Sequence, residues 1–283
     1  MPREPRRPPP LDTLTNDRGG PVIDDLWYKN AIFYCLSVGT YMDANGDGIG
    51  DFKGLLRRLD YLQGLGITAI WLMPFQPSPG KDDGYDVSDY YGVDPRYGTL
   101  GDFVEFTHGC AQRGIRVIID LVVNHTSDQH AWFKDARSSK DSLYRDWYVW
   151  ADKKPANANK GIVFPGVQKS TWSRDKEAGA WYFHRFYDFQ PDLNTSNPQV
   201  QAEILKIMGF WIQLGVSGFR MDAVPFVIAT KGAKVRQSAH PRRTIRHTAQ
   251  PAGIPAMAAG QRHHPGGSQC AARNRHEVFR RRR

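Results

Sequence analysis

Apolar residues in this chain follow two spacings that alternate along it. Ala31-Ile32-Phe33-Tyr34-Cys35-Leu36 is a continuous apolar run, the pattern of a strand buried on both faces. Phe52, Leu55, Leu56, Leu59, Leu62 and Leu65 then recur at helical spacing. Gly64 and Gly66 close that helix. Ile67 to Met73 is a second apolar strand, stopped by Pro74. Residues 101–113 read as helix, 115–123 as a third strand, 199–214 as a helix and 218–222 as a fourth strand. Strand, helix and strand in succession demand a right-handed parallel crossover. Repetition of that unit predicts an α/β fold, either a barrel or a doubly wound sheet.

One connection breaks the rhythm. The stretch between the third strand and the helix at Gln199 holds Trp132, Trp147, Trp150, Trp172 and Trp181. A structureless loop of that length is improbable, so residues 126–194 are expected to form an inserted subdomain. It would leave the sheet at a strand's carboxyl end, where barrel enzymes build their sites. The barrel body would then be 26–125 and 195–235. Residues 1–25, rich in Pro, Arg, Asp and Gly, read as a flexible leader.

Charge separates the body from the tail. The formal net charge of the 283 residues is +9, which by itself suggests a nucleic-acid partner. Residues 234–283 hold 12 Lys+Arg and a single acid, Glu277, leaving the preceding 233 residues at −2. A nucleic-acid or acidic partner would therefore be met only through the tail, by a non-catalytic fragment. Residues 236–283 contain no Trp, Tyr or Leu, and no apolar period there predicts an element that joins the sheet. They read either as a basic arm or as translation out of frame. Cys35, Cys110 and Cys270 are too few and too scattered for a disulfide framework or a zinc site. Cys35 and Cys110 are expected to be packed thiols. Neither a secretory signal nor a membrane span is evident, so a cytoplasmic location is the default expectation.

The segment Asp43-Ala-Asn45-Gly-Asp47-Gly48-Ile49-Gly50-Asp51 places side-chain oxygens at every second position, with glycines that permit a tight wrap. A hard cation needs that arrangement. It matches the first half of an EF-hand loop and departs at the twelfth position, where Gly54 replaces the bidentate Glu.

Polar residues gather just past the strand ends. Gly84-Tyr85-Asp86 follows the second strand, Asp120-Leu-Val-Val-Asn124-His125 ends the third, and Arg220-Met-Asp222 ends the fourth. Strand alternation points Arg220 and Asp222 to one face, where the cation would pair with the carboxylate. A carboxylate nucleophile has to be an anion. Aromatic faces beside carboxylates suit a sugar, with its apolar CH faces and many hydroxyls.

These motifs resemble the α-amylase family, glycoside hydrolase family 13. Asp120 to His125 is similar to its first signature region and Gly218 to Ala223 to its second. Gln190-Pro191-Asp192-Leu193-Asn194 resembles the segment of its oligo-1,6-glucosidase and trehalose synthase branch. The resemblance runs from about Trp27 to about Val235. It implies a (β/α)8 barrel, of which this chain carries about strands 1–4, with the subdomain after strand 3. It further implies Asp222 as nucleophile, Arg220 orienting it, Asp86 and His125 holding sugar hydroxyls, and Tyr85 stacking on the ring. Asp43, Asn45, Asp47, Asp51 and the Ile49 carbonyl would hold structural Ca²⁺. The reaction implied is retaining attack on an α-glucosidic bond, with two carboxyl groups about 5–5.5 Å apart. Val224-Pro225-Phe226 and Trp181 to Phe186 look most like trehalose synthases, which isomerise maltose; an α-glucosidase or oligo-1,6-glucosidase is the alternative. The acid/base glutamate expected beyond Asp222 has no counterpart, because Glu277 is the sole glutamate there and its surroundings do not resemble the family's segment. The chain itself is therefore expected to be inactive.

Overall fold

The computed structural model describes residues 26–229, Lys231 and the backbone of Ala256–Met257. The leader, Cys270 and the rest of the tail lie outside the described residues. In chain order the elements are β1 (Phe33–Leu36), α1 (Val38–Tyr41), α2 (Phe52–Arg57), α3 (Leu59–Gly64), β2 (Ala69–Leu72), α4 (Leu100–Gln112) and β3 (Arg116–Leu121). They continue as α5 (Ala131–Ser138), β4 (Trp150–Ala151), β5 (Trp172–Asp175), β6 (Ala180–Phe183), α6 (Pro198–Gln213), β7 (Gly218–Met221), α7 (Val224–Val227) and β8 (Ala256–Met257).

The main sheet has the order β1-β2-β3-β7-β8. Its first four strands pair in parallel, with Phe33 opposite Ala69, Ala69 opposite Arg116 and Ile118 opposite Gly218. Four neighbouring parallel strands linked through helices are the first staves of a (β/α)8 barrel. Between β3 and α6 the chain builds a separate antiparallel sheet of order β4-β6-β5, the inserted subdomain. Two isolated bridges, His125 with Asp192 and Tyr148 with Leu193, tie its return segment to the end of β3 and to the stretch before β4.

The helices start where their caps demand. Thr99 and Asp102 form a reciprocal capping box at α4, which satisfies two backbone N–H groups that the helix leaves orphaned. Asn197 caps α6, with Pro198 in its first turn. The helical face packs through Phe52, Phe75, Phe103, Phe106 and Trp211, each at most 1% exposed. Their rings meet edge-to-face, tilted or stacked at centroid distances of 5.1–5.7 Å. Losing one such ring costs about 3–5 kcal/mol, more than a single surface contact supplies, so this cluster holds α2, α4 and α6 on the sheet.

Four expectations need correction. The helix predicted over 52–65 is two, because Arg58 leaves helical geometry at φ −103°, ψ 2° while the apolar stripe continues across the break. The first strand is not buried on both faces. Cys35 is exposed, and Ile32 is 58% exposed, because among the described residues β1 has a neighbour on one side only and Cys35 faces away from the helices. Cys110 is packed as expected, fully buried in the helical layer. The tail does reach the sheet at Ala256–Met257, which pairs in parallel with Phe219 and Arg220. Main-chain groups at a strand edge supply that pairing, so it needs no apolar period.

Candidate active site

The site assembles at the carboxyl ends of β2, β3 and β7. Asp120 and Arg220 are register partners on adjacent strands, and alternation turns both to the face opposite the helices. Arg220 Nη1 donates to Asp120 Oδ1 at 2.7 Å and to Asp222 Oδ1 at 2.7 Å. The Asp222 backbone N–H donates to the Leu121 carbonyl at 3.1 Å, which pins the end of β7 to β3. The next residue, Ala223, adopts φ 51°, a left-handed conformation uncommon for a residue with a side chain. It turns the chain into α7 directly behind Asp222.

Asp120 is the hub. Its Oδ2 accepts from Trp71 Nε1 at 3.0 Å and from the Tyr85 hydroxyl at 3.3 Å. Burial pushes its carboxyl upward, opposed by the Arg220 cation and the Trp71 hydrogen bond. Burial also pushes the Tyr85 phenol well up, so Tyr85 is a neutral donor. Arg220 lies over the Trp71 ring, its guanidinium carbon 5.2 Å from the centroid.

His125 is 2% exposed. Its Nε2 lies 3.1 Å from the Tyr85 carbonyl and its Nδ1 3.2 Å from Asn124 Nδ2. Burial lowers its pKa, against the pull of Asp192 and Asp222, so the ring is neutral at neutral pH. Phe186 meets it edge-to-face at 5.3 Å and meets Phe226 of α7 at 5.4 Å. One side of the site is thereby apolar and the other charged.

The structure thus joins Tyr85, His125, Arg220 and Asp222 in one connected set. Asp86 follows Tyr85 but is fully buried and bound to its own loop. It accepts from Ser78 Oγ at 2.8 Å and from the backbone N–H groups of Lys81 and Asp82 at 3.1 Å each. Asp82, beside it, accepts from Gln190 Nε2 at 2.7 Å, linking this loop to the Gln-Pro-Asp-Leu-Asn segment.

Sequence reasoning placed Asp120 in the polar cluster without giving it a role, and it missed Trp71 and Lys231 as site residues. Asp120 did carry a signal: a lone acid inside Val117-Ile-Ile-Asp-Leu must find a partner if the strand is buried. Lys231 carried none. It lies outside any regular element, and only the fold brings it to Asn124 and Asp192.

The Asp43–Asp51 loop stands apart from this set. Asp43 accepts from the N–H groups of Asn45, Gly46 and Gly48 at 2.7–3.0 Å. Those hydrogen bonds hold its carboxyl below the usual range. Asp51 caps α2 by accepting from Gly54 N at 2.6 Å, and accepts from Ala44 N at 3.0 Å. No cluster of three or more His, Cys, Asp or Glu side chains suited to a metal forms among the described residues. The side chains still carry oxygens at spacing two around a turn with positive φ at Gly46 and Gly48, and carboxylates accepting N–H bonds keep further lone pairs. Those lone pairs are the ones a hard cation would use. Gly54 explains the departure at the twelfth position, since a Cβ there would overlap the Met42 carbonyl oxygen.

The Arg-bridged carboxylate pair lies at the strand ends of the parallel sheet, the end at which barrel enzymes build their sites. Comparison with known proteins gives the family: residues 38–263 match the α-amylase catalytic domain, and the chain belongs to the α-amylase family. It is 50% identical over 211 residues to a trehalose synthase of Thermus thermophilus, covering 74% of this chain and 22% of that enzyme. It is 43% identical over 208 residues to an oligo-1,6-glucosidase of Bacillus cereus, covering 73% of this chain and 37% of that enzyme. The trehalulose synthase MutB of Pseudomonas mesoacidophila superposes with a TM-score of 0.66 at 47% identity, covering 70% of this chain and 35% of MutB. The chain thus spans well under half the length of these relatives. Among the described residues no helix is long and apolar enough to cross a membrane.

Proposed function

We propose that Asp222 is the nucleophile of a retaining α-glucosyl transfer. The observation that carries this reading is the shared Arg220 nitrogen, 2.7 Å from both Asp120 and Asp222. It fixes Asp222 Oδ1, and among the described residues Oδ2 has no hydrogen-bond partner. Oδ2 would attack the anomeric carbon while the glucosidic C–O bond breaks, giving a glucosyl ester of Asp222. The departing oxygen takes a proton from a second carboxylic acid, which later deprotonates the acceptor. Tyr85 and His125 lie beside each other and would position the glucosyl ring, with Asp86 behind them. The substrate would be a maltose-like α-linked disaccharide. The likeness to trehalose synthases favours glucose over water as acceptor, with α-glucosidase hydrolysis the alternative outcome.

The proton donor is the missing part. Glu277 is the sole glutamate after Asp222, and it lies outside the described residues. This stretch of chain therefore supplies the nucleophile half of the site, and on its own it would not turn over maltose. The test is incubation of purified chain with maltose, alongside Asp222→Ala. Neither should release glucose or isomerise maltose. Turnover by the parent that Asp222→Ala abolishes would show that an acid/base group is present after all.

The Asp43–Asp51 loop would hold Ca²⁺ through Asp43, Asn45, Asp47, Asp51 and the Ile49 carbonyl. The ion would brace the loop against α2 and take no part in the chemistry.

A further inference from the structure

Lys231 sits in the interior with a side chain 3% exposed. Its ammonium donates to the Asn124 carbonyl at 2.7 Å and to Asn124 Oδ1 at 2.8 Å, and Asp192 Oδ2 lies 3.1 Å away as its ion-pair partner. The Asn124 amide is thereby oriented. An ammonium can only donate, so the amide atom facing it must be oxygen. Nδ2 is then left to face His125 Nδ1, at 3.2 Å. Nδ2 can only donate, so His125 Nδ1 must accept and carries no proton. The single ring proton is on Nε2, which faces the Tyr85 carbonyl at 3.1 Å, an acceptor only. Donor and acceptor identities agree at every link from Lys231 to Tyr85.

We infer that Lys231 is a positioning residue for the sugar site: through Asn124 it fixes His125 as the neutral Nε2–H tautomer. A doubly protonated ring would place an N–H against the Asn124 amide N–H, so the same relay opposes the imidazolium. The relay spans three segments distant in sequence: the end of β3, the return from the inserted subdomain and the chain after α7. It therefore reports to His125 whether those segments are assembled. A tautomer frozen in this way keeps its single N–H on the Tyr85 carbonyl, and so holds the backbone that carries the Tyr85 ring. The consequence for sugar binding rests on the function proposed above; the tautomer does not.

The experiment uses the full chain with ring-15N-labelled histidine and long-range 1H–15N correlation spectra, His125 being assigned with His125→Gln. The parent should show a pure Nε2–H pattern for His125. Lys231→Met frees the Asn124 amide to flip and should lose the single-tautomer pattern. Lys231→Gln keeps a neutral N–H donor and should restore it. Asn124→Asp replaces the donor to Nδ1 by an acceptor and should put a proton on Nδ1, ending the pure neutral Nε2–H pattern. An Nδ1–H ring in the parent, or an unchanged pure Nε2–H pattern in folded Lys231→Met, overturns the inference. Should neither Lys231 variant fold, the parent spectrum and Asn124→Asp decide it, an unchanged pattern in the latter being fatal. A parent that shows the pattern yet binds no glucose-configured ligand would sink the functional reading and leave the relay standing.

Discussion

Asp120 and Arg220 face each other as register partners on β3 and β7, and a single guanidinium nitrogen joins them at 2.7 Å. The same nitrogen holds Asp222, so the proposed nucleophile is positioned by a cation anchored one strand away. The Asp120 side chain has no solvent exposure, and removing Arg220 strands its charge. Arg220→Met should therefore destabilise the chain by about 3–5 kcal/mol, read as a lower urea midpoint. Adding Asp120→Asn should recover part of the loss, because the stranded charge is then gone. A single variant as stable as the parent would show that the pair does not support the fold.

Stability should fall in mild acid. His130 packs against Tyr90 and Trp132 at centroid distances of 5.4 and 4.2 Å, and burial lowers its pKa from 6.5 to about 3. The unfolded chain binds this proton near pH 6.5 and the folded chain only near 3. The stabilisation is thus complete above pH 6.5 and is lost as pH falls toward 3. His130 alone should remove about 2 kcal/mol between pH 7 and pH 5. Burial lowers His125 and His184 too, in the same direction. Urea midpoints at the two pH values measure the slope, and His130→Asn, which keeps a capping acceptor for Trp132 N–H, should flatten it. A midpoint independent of pH would contradict the burial of these rings.

Gly54 separates helix propensity from packing. It lies inside α2, where Ala is favoured over Gly by about 1 kcal/mol. A Cβ at this position would overlap the Met42 carbonyl oxygen, and backbone cannot swing aside as a side chain can. Overpacking of this kind costs about 1–3 kcal/mol, so Gly54→Ala should lower the thermal midpoint. A raised midpoint would mean that α2 and the residue 42 backbone are not in contact.

Calcium should raise the thermal midpoint of the parent, and a chelator should reverse it. At a hundredfold excess over the dissociation constant the gain is about 2.7 kcal/mol. Asp43→Ala with Asp47→Ala should abolish the shift without changing the pH dependence above. A parent that does not respond to calcium rules out the ion site.

The four strands and the helices between them were legible because short apolar stretches alternate with single apolar stripes at helical spacing; their barrel order came from the family resemblance. The strand ends were legible too, since Tyr85, His125, Arg220 and Asp222 all follow such runs. The break at Arg58 was not, because the stripe crosses it without losing phase. Nor was the exposure of Cys35, since a strand pattern does not say whether a neighbour covers its inner face. Lys231 had to await the fold: its partners are Asn124 and Asp192, and no local spacing relates the three.

The most direct test of the glucosyl site is covalent trapping with an activated α-glucosyl fluoride that carries a second fluorine on the ring to slow hydrolysis. Fluoride leaves without protonation, so the step needs the nucleophile but no second carboxylic acid. The folded chain should gain one fluoroglucosyl group, located by peptide mass spectrometry on Asp222 and absent from Asp222→Asn. An adduct elsewhere, or none on a chain shown to be folded, would contradict the assignment of Asp222 as the nucleophile.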